Sequence, residues 1–227
     1  IAGVIGDKQL MIGANADILE EGVQNDIISV KKGLRIGDGE IADLLERNVD
    51  NIYLDITGDA AKVNSFLDEI GVSGRLSELA EPQLRKLATA LMLKLLRRSS
   101  PDVIKNLIGD VYTLRREVIH NVDDFVSSLH ACARMNDAGL ALSLCLRDSA
   151  GVSHAARAVV DYQRTLVSEM MAAEQAIMQG DHIKYLLLRD REGTGIIAST
   201  VTGFLYPDQP CIVLNESDGK IKISARG

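Results

Sequence analysis

The sequence predicts an α/β protein, and three observations carry the prediction. A short apolar run, Ile1 to Ile5, is closed by Gly6-Asp7 as the end of a buried strand opening into a loop would be. Helical periodicity then dominates from Asp17 to Met178. After it come short β-type runs punctuated by Gly, Pro, Asn and Asp. A chain of 227 residues has room for one large or two modest domains, and the change of texture places a boundary near residue 181. Residues 1–16 read as the end of a sheet domain, 17–180 as a helical connector region, and 181–227 as the start of a smaller mixed α/β domain that is incomplete.

The elements follow in order. Ile18, Leu19, Val23, Ile27 and Ile28 recur at helical spacing, and Ile41, Leu44 and Leu45 repeat the pattern after Gly37-Asp38-Gly39. Ala60 to Ile70 forms a helix with Asp59 placed to cap it and Gly71 to end it. Glu81 to Leu96 is the strongest helix, with Pro82 tolerated in its first turn and Leu84, Leu87, Leu91 and Leu95 on one face. Pro101 opens the next, expected to run through Ile104, Leu107, Ile108, Val111 and Leu114. Val122 to Asn136 and Gly151 to Met178 complete the helical part, the latter long enough to connect two domains. Strands are then expected at 182–188, 195–204, 211–214 and 220–224.

Composition narrows the class. Apolar residues make up 46% of the chain, too many for disorder. No apolar run approaches the about 18 residues of a membrane span. Three scattered cysteines, Cys132, Cys145 and Cys211, suggest reduced thiols packed as small hydrophobes in a cytoplasmic protein. The opening residue is Ile and no signal peptide is recognisable, so a piece of a longer protein is expected. The net charge of −7 is unevenly placed. Residues 1–80 carry 15 acids against 7 bases, whereas residues 81–119 carry 8 bases against 4 acids. The basic side chains are Arg85, Lys86, Lys94, Arg97, Arg98, Lys105, Arg115 and Arg116, which on helices make a solvated face at the least.

Local chemistry is sparse. No glycine-rich phosphate loop, cysteine pair, nucleophile elbow or zinc spacing occurs. Asp7 stands where open α/β sheets place ligands, just beyond a strand, and also where a turn wants an aspartate. His120, His130, His154 and His182 are too scattered for local ligand spacing.

Three segments nevertheless share a likeness. Val4-Ile5-Gly6-Asp7-Lys8-Gln9 resembles the GAIGD-x-Q segment that closes the catalytic domain of archaeal RecJ-like phosphoesterases of the DHH family. Leu129-His130-Ala131-Cys132-Ala133-Arg134-Met135, with Gly139-Leu140-Ala141-Leu142 after it, resembles their LNACGRM…GLGIAL segment. Lys222-Ile223-Ser224-Ala225-Arg226-Gly227 looks like the KVSARG strand of the DHH-associated substrate domain. The three stand in family order and span almost the whole chain.

The resemblance implies the end of a DHH-type parallel-sheet domain over 1–16, and an enzyme that hydrolyses phosphodiester bonds of single-stranded nucleic acid, usually DNA from the 5′ end. It implies two divalent metals, Mn2+ or Mg2+, which together activate water and stabilise the leaving oxygen. By the same likeness Asp7 is a metal ligand, Arg134 a phosphate contact, and Ser224 and Arg226 phosphate contacts of the associated domain, since a guanidinium fork suits phosphate. From the residues alone, Arg134 could equally pair with Asp137 or Asp124. The family's Asn is His130 here and its Gly is Ala133, which alters how a phosphate would approach Arg134. The other metal ligands would precede Ile1 and the family's GGH segment is absent, so this chain alone is expected to be inactive. Two other readings stay open: a non-catalytic scaffold that binds the GINS complex at a replicative helicase, as relatives do, and a phosphodiesterase of small oligonucleotides.

Overall fold

The computed structural model describes residues 1–227 apart from Leu54, Arg97, Arg98, Glu192 and the side chain of Asp102. The first expected strand is a helix, α1 (Ala2–Gly6). Ile1, Ala2 and Ile5 all pack into the same apolar cluster, which a helix permits, whereas a strand would turn Ala2 to the face opposite the two isoleucines. The next periodic stretch divides. Helix α2 (Ala14–Gln24) ends at Asn25, and after Asp26, at φ +54°, the chain reverses into strand β1 (Ile28–Leu34). Ile28, expected on the helix, instead lies over Gly22, whose absent Cβ would sit 2.6 Å from its Cδ1.

Helices α3 (Ile41–Glu46), α4 (Ala60–Ile70) and α5 (Glu81–Leu95) form where their periodicity places them. The Asp59 carboxylate accepts from the Lys62 amide at 3.1 Å, and Gly71 closes α4 at φ +60°. On α5, Leu87, Leu91 and Leu95 are buried and Leu84 half-buried. The helix expected from Pro101 to Leu114 stops halfway: α6 (Pro101–Leu107) passes directly into β2 (Ile108–Leu114). β2 pairs antiparallel with β1 from Ile28↔Leu114 to Leu34↔Ile108, which makes a two-stranded ribbon from segments far apart in the chain.

Helix α7 (Val122–Arg134) is capped by Asn121, whose side chain accepts from the amides of Asp123 and Asp124. Helix α8 (Ala138–Cys145), unforeseen in its apolar run, starts where Asp137 accepts from the Leu140 amide at 3.0 Å. It leaves Cys145 exposed, so only Cys132 and Cys211 pack as buried thiols. Helix α9 (Val152–Gln175) has 24 residues, so it is about 36 Å long.

The last sheet has the order β3 (Met178–Gln179), β4 (Lys184–Arg189), β5 (Cys211–Ser217), β6 (Lys220–Arg226). β4 and β5 are parallel and the other pairs antiparallel. Parallel neighbours need a crossover, and residues 195–204, expected as a strand, supply it as α10 (Thr194–Thr200) with a π-helical turn over Val201–Leu205. Thr194, Ile197, Ala198, Thr200, Val201, Phe204 and Leu205 are buried, and among them Ile197, Ala198, Val201 and Leu205 keep a helical spacing that β-branched composition disguised. β6 is an edge strand, with Ile221 and Ile223 exposed on either side of Lys222.

The fold is therefore mixed α/β, with two sheets of which one is mixed. Two apolar clusters hold it together. One gathers α1, α2, the β1–β2 ribbon, α7, α8 and the start of α9. The larger runs from Leu34 through α3 to α6, takes Leu166, Val167, Met170 and Ala173 from α9, and continues into Leu186, Ile197, Val213 and Phe204. It thus extends across residue 181 without a break. No helix among the described residues is long and apolar enough to cross a membrane.

Candidate functional site

The resemblance-derived residues fall into two groups. Asp7 follows α1, its amide donating to the Gly3 carbonyl at 3.0 Å, and its carboxylate is exposed and takes no hydrogen bond or ion pair among the described residues. α1 packs on α7, and a Cβ at Gly6 would lie 3.7 Å from Nε2 of His130. The fold thus brings the VIGD and LHACARM segments side by side although 120 residues separate them, with Asp7 beside the His130 region. Arg134 occupies the last turn of α7, exposed, where a cation suits the helix C-terminus. Neither alternative partner holds it: Asp137 caps α8, and Asp124 accepts from the Asp38 amide at 3.0 Å.

Ser224 and Arg226 alternate along β6 and both turn toward α10. Ser224 is buried, its Oγ 3.0 Å from Oγ1 of the equally buried Thr194, which fastens the crossover helix to the edge strand. Arg226 donates from Nε to Ser199 Oγ at 3.1 Å and from Nη1 to the Ala225 carbonyl at 2.7 Å. Its Nη2 lies 3.5 Å from where a Gly195 Cβ would stand, so the guanidinium rests on α10 with its outer edge exposed. Helix α9 packs against both α7 and α10 and is the element shared by the two groups.

The basic segment disperses over the surface. Arg85 pairs with Glu81, Lys94 with Asp55 and Arg115 with Asp26; Arg97 and Arg98 lie outside the described residues. Among the described residues no cluster of three His, Cys, Asp or Glu side chains is placed to hold a metal ion. Asp7 by itself does not make a metal centre, so the residues described do not build a two-metal site.

A third constellation went unread in the sequence. Asp124, near the N-terminus of α7, meets the Gly37–Asp38 turn, whose Gly37 sits at φ +87° with no room for a Cβ, 2.5 Å from the Asp124 Oδ1 position. Asp38 in turn pairs with Arg75 at 3.2 Å and accepts from the Ser77 amide. Burial pushes the Asp124 carboxyl up to about 6; the Asp38 amide and Arg75 restrain the rise, and the carboxylates of Asp38 and Asp123 add to it. Burial also raises Asp123, against the pull of Arg35 at 3.8 Å. The only sequence signal was the Gly37-Asp38-Gly39 break, because the partner lies 86 residues away.

No protein-family model and no curated protein sequence matches the chain. Among solved structures it is similar to CDC45 from Entamoeba histolytica, with a TM-score of 0.61 and 8% identity over 94% of this chain and 53% of that one. The mixed α/β fold is thus similar to that of the matched part of the CDC45 chain. At this identity the likeness is one of fold alone, and the chain spans about half the length of the CDC45 chain it matches.

Proposed function

We propose that the chain is the nucleic-acid-gripping portion of a RecJ-like phosphoesterase, binding single-stranded DNA phosphates through Arg134 and Arg226. The carrying observation is that Arg134 stands exposed at the end of α7 with no ion pair among the described residues. Arg226, laid on α10 by Ser199, offers a second oriented fork. Hydrolysis, with Asp7 as one ligand of a Mn2+ or Mg2+ pair, would belong to a longer polypeptide carrying the remaining ligands.

A scaffold that binds GINS is the second reading, favoured by the similarity to CDC45 and by His130 and Ala133 in place of the family's Asn and Gly. Fluorescence anisotropy with 5′-phosphorylated single-stranded oligonucleotides separates the two. Phosphate gripping gives affinity that falls steeply with salt, and Arg134→Ala and Arg226→Ala each weaken it and flatten the log–log salt slope by about one. No binding at low salt, together with capture of GINS, would establish the scaffold instead.

A further inference from the structure

The strand register extends the Arg226 group to a residue that no motif marks. Lys184 is paired with Cys211, and Cys211 with Arg226, so the three form one cross-strand row. Cys211 is buried beneath α10, as are Leu186 and Val213 two residues further along, so the row faces the crossover helix. Lys184 and Arg226 thus stand two strand spacings apart, roughly 10 Å between backbones, at the same end of the sheet and on the same face.

Beside Lys184 opens a cleft of about 550 Å³. It lies between the end of α5, marked by Leu96 and Ser99, and the segment Leu205 to Gln209 that leads into β5. The volume is in the range of about 300–1,000 Å³ usual for small-ligand sites. The Lys184 ammonium lies 4.0 Å from the centroid of the Tyr206 ring and donates to Gln179. Gln179 also bonds Gln209 at 3.1 Å, which ties the cleft's wall to β3. Tyr206 is, among the described residues, the aromatic whose ring is exposed. An exposed ring with a cation over one face supplies the two groups that hold single-stranded nucleic acid: a base stacks on the ring's other face whatever its sequence, and the cation takes the phosphate.

We propose that this cleft is a nucleotide subsite, in which Tyr206 stacks one base of a single strand and Lys184 takes the phosphate adjoining the one held by Arg226. The assignment rests on the single-strand reading above and adds to it a place for a base. The Asp208 carboxylate on the rim opposes a phosphate, so it sets the direction of entry: the backbone passes on the Lys184 side and the base points toward Tyr206.

The test is anisotropy of a labelled dT8 oligonucleotide, and of versions carrying one abasic residue at each position in turn, against the 227-residue chain. Tyr206→Ala should weaken binding of dT8 roughly ten-fold, whereas Tyr206→Phe keeps it. One abasic position should cost the wild type a similar factor and cost Tyr206→Ala nothing. Lys184→Ala should lower the salt slope by about one, and Asp208→Asn should tighten binding. If Tyr206→Ala and Lys184→Ala bind dT8 within two-fold of wild type while Arg226→Ala still weakens it, the subsite is refuted and the single-strand reading stands. If the wild-type chain does not bind dT8 even at low salt, both fall. Thermal melts of each variant distinguish lost contact from lost fold.

Discussion

Asp124 carries a proton-linked cost that its neighbours only partly offset. Its carboxyl titrates at about 6 in the folded chain against an ordinary 3.8, so the folded state holds the proton more tightly than the unfolded one. The stabilisation this gives is complete below about pH 4 and is lost as pH rises through 6; at pH 8 the ionised group costs up to about 3 kcal/mol. Asp124→Asn keeps an acceptor for the Asp38 amide and removes the charge. It should therefore raise the urea midpoint at pH 8 and converge on wild type near pH 4; equal midpoints at pH 8 would refute the assignment. Residues of this kind also show what one sequence can disclose. Asp59 and Gly71 were legible because a cap and the helix it serves are neighbours. Asp124 was not, because its environment is made by Asp38 and Arg75 from distant loops.

At the scale of elements, helices with a local signal were read correctly and pairings were missed. α4, α5, α7 and α9 show their buried faces in the spacing of their own apolar residues. The β1–β2 ribbon exists because two stretches some 80 residues apart meet, and each alone continues the period of the preceding helix closely enough to pass for it. α10 failed in the opposite sense, since its Ile, Thr and Val content reads as strand until the parallel pairing of β4 and β5 requires a crossover. Of the candidate site, resemblance alone put the residues forward, and the packing of α1 on α7 was not legible. The face of α5 provides a direct check: Leu91 is fully buried and Leu93 is 60% exposed. Leu91→Ala should cost about 2–5 kcal/mol in urea unfolding, and Leu93→Ala less than about 0.5.

Across the whole molecule, the compositional break near residue 181 does not coincide with a break in the core. Leu186, Ile197 and Val213 are buried in the same cluster as Leu87 and Leu91. Thr200 donates to Met170 Sδ at 3.0 Å, and Arg191 approaches Glu169 at 3.8 Å. The inner face of the last sheet is therefore completed by the helices before it. Residues 181–227 produced alone should give the amide spectrum of an unfolded chain, and a dispersed spectrum would show that they form a domain by themselves. The edge strand β6 has a separate consequence. A row of unpaired backbone groups flanked by Ile221 and Ile223 is a template onto which another strand could accrete. Lys220, Lys222 and Arg226 give that strand three positive charges and no negative one. A second copy arriving antiparallel would set cation against cation, so the sheet is shielded from growing into its own kind by mutual repulsion, a protection that weakens as salt rises.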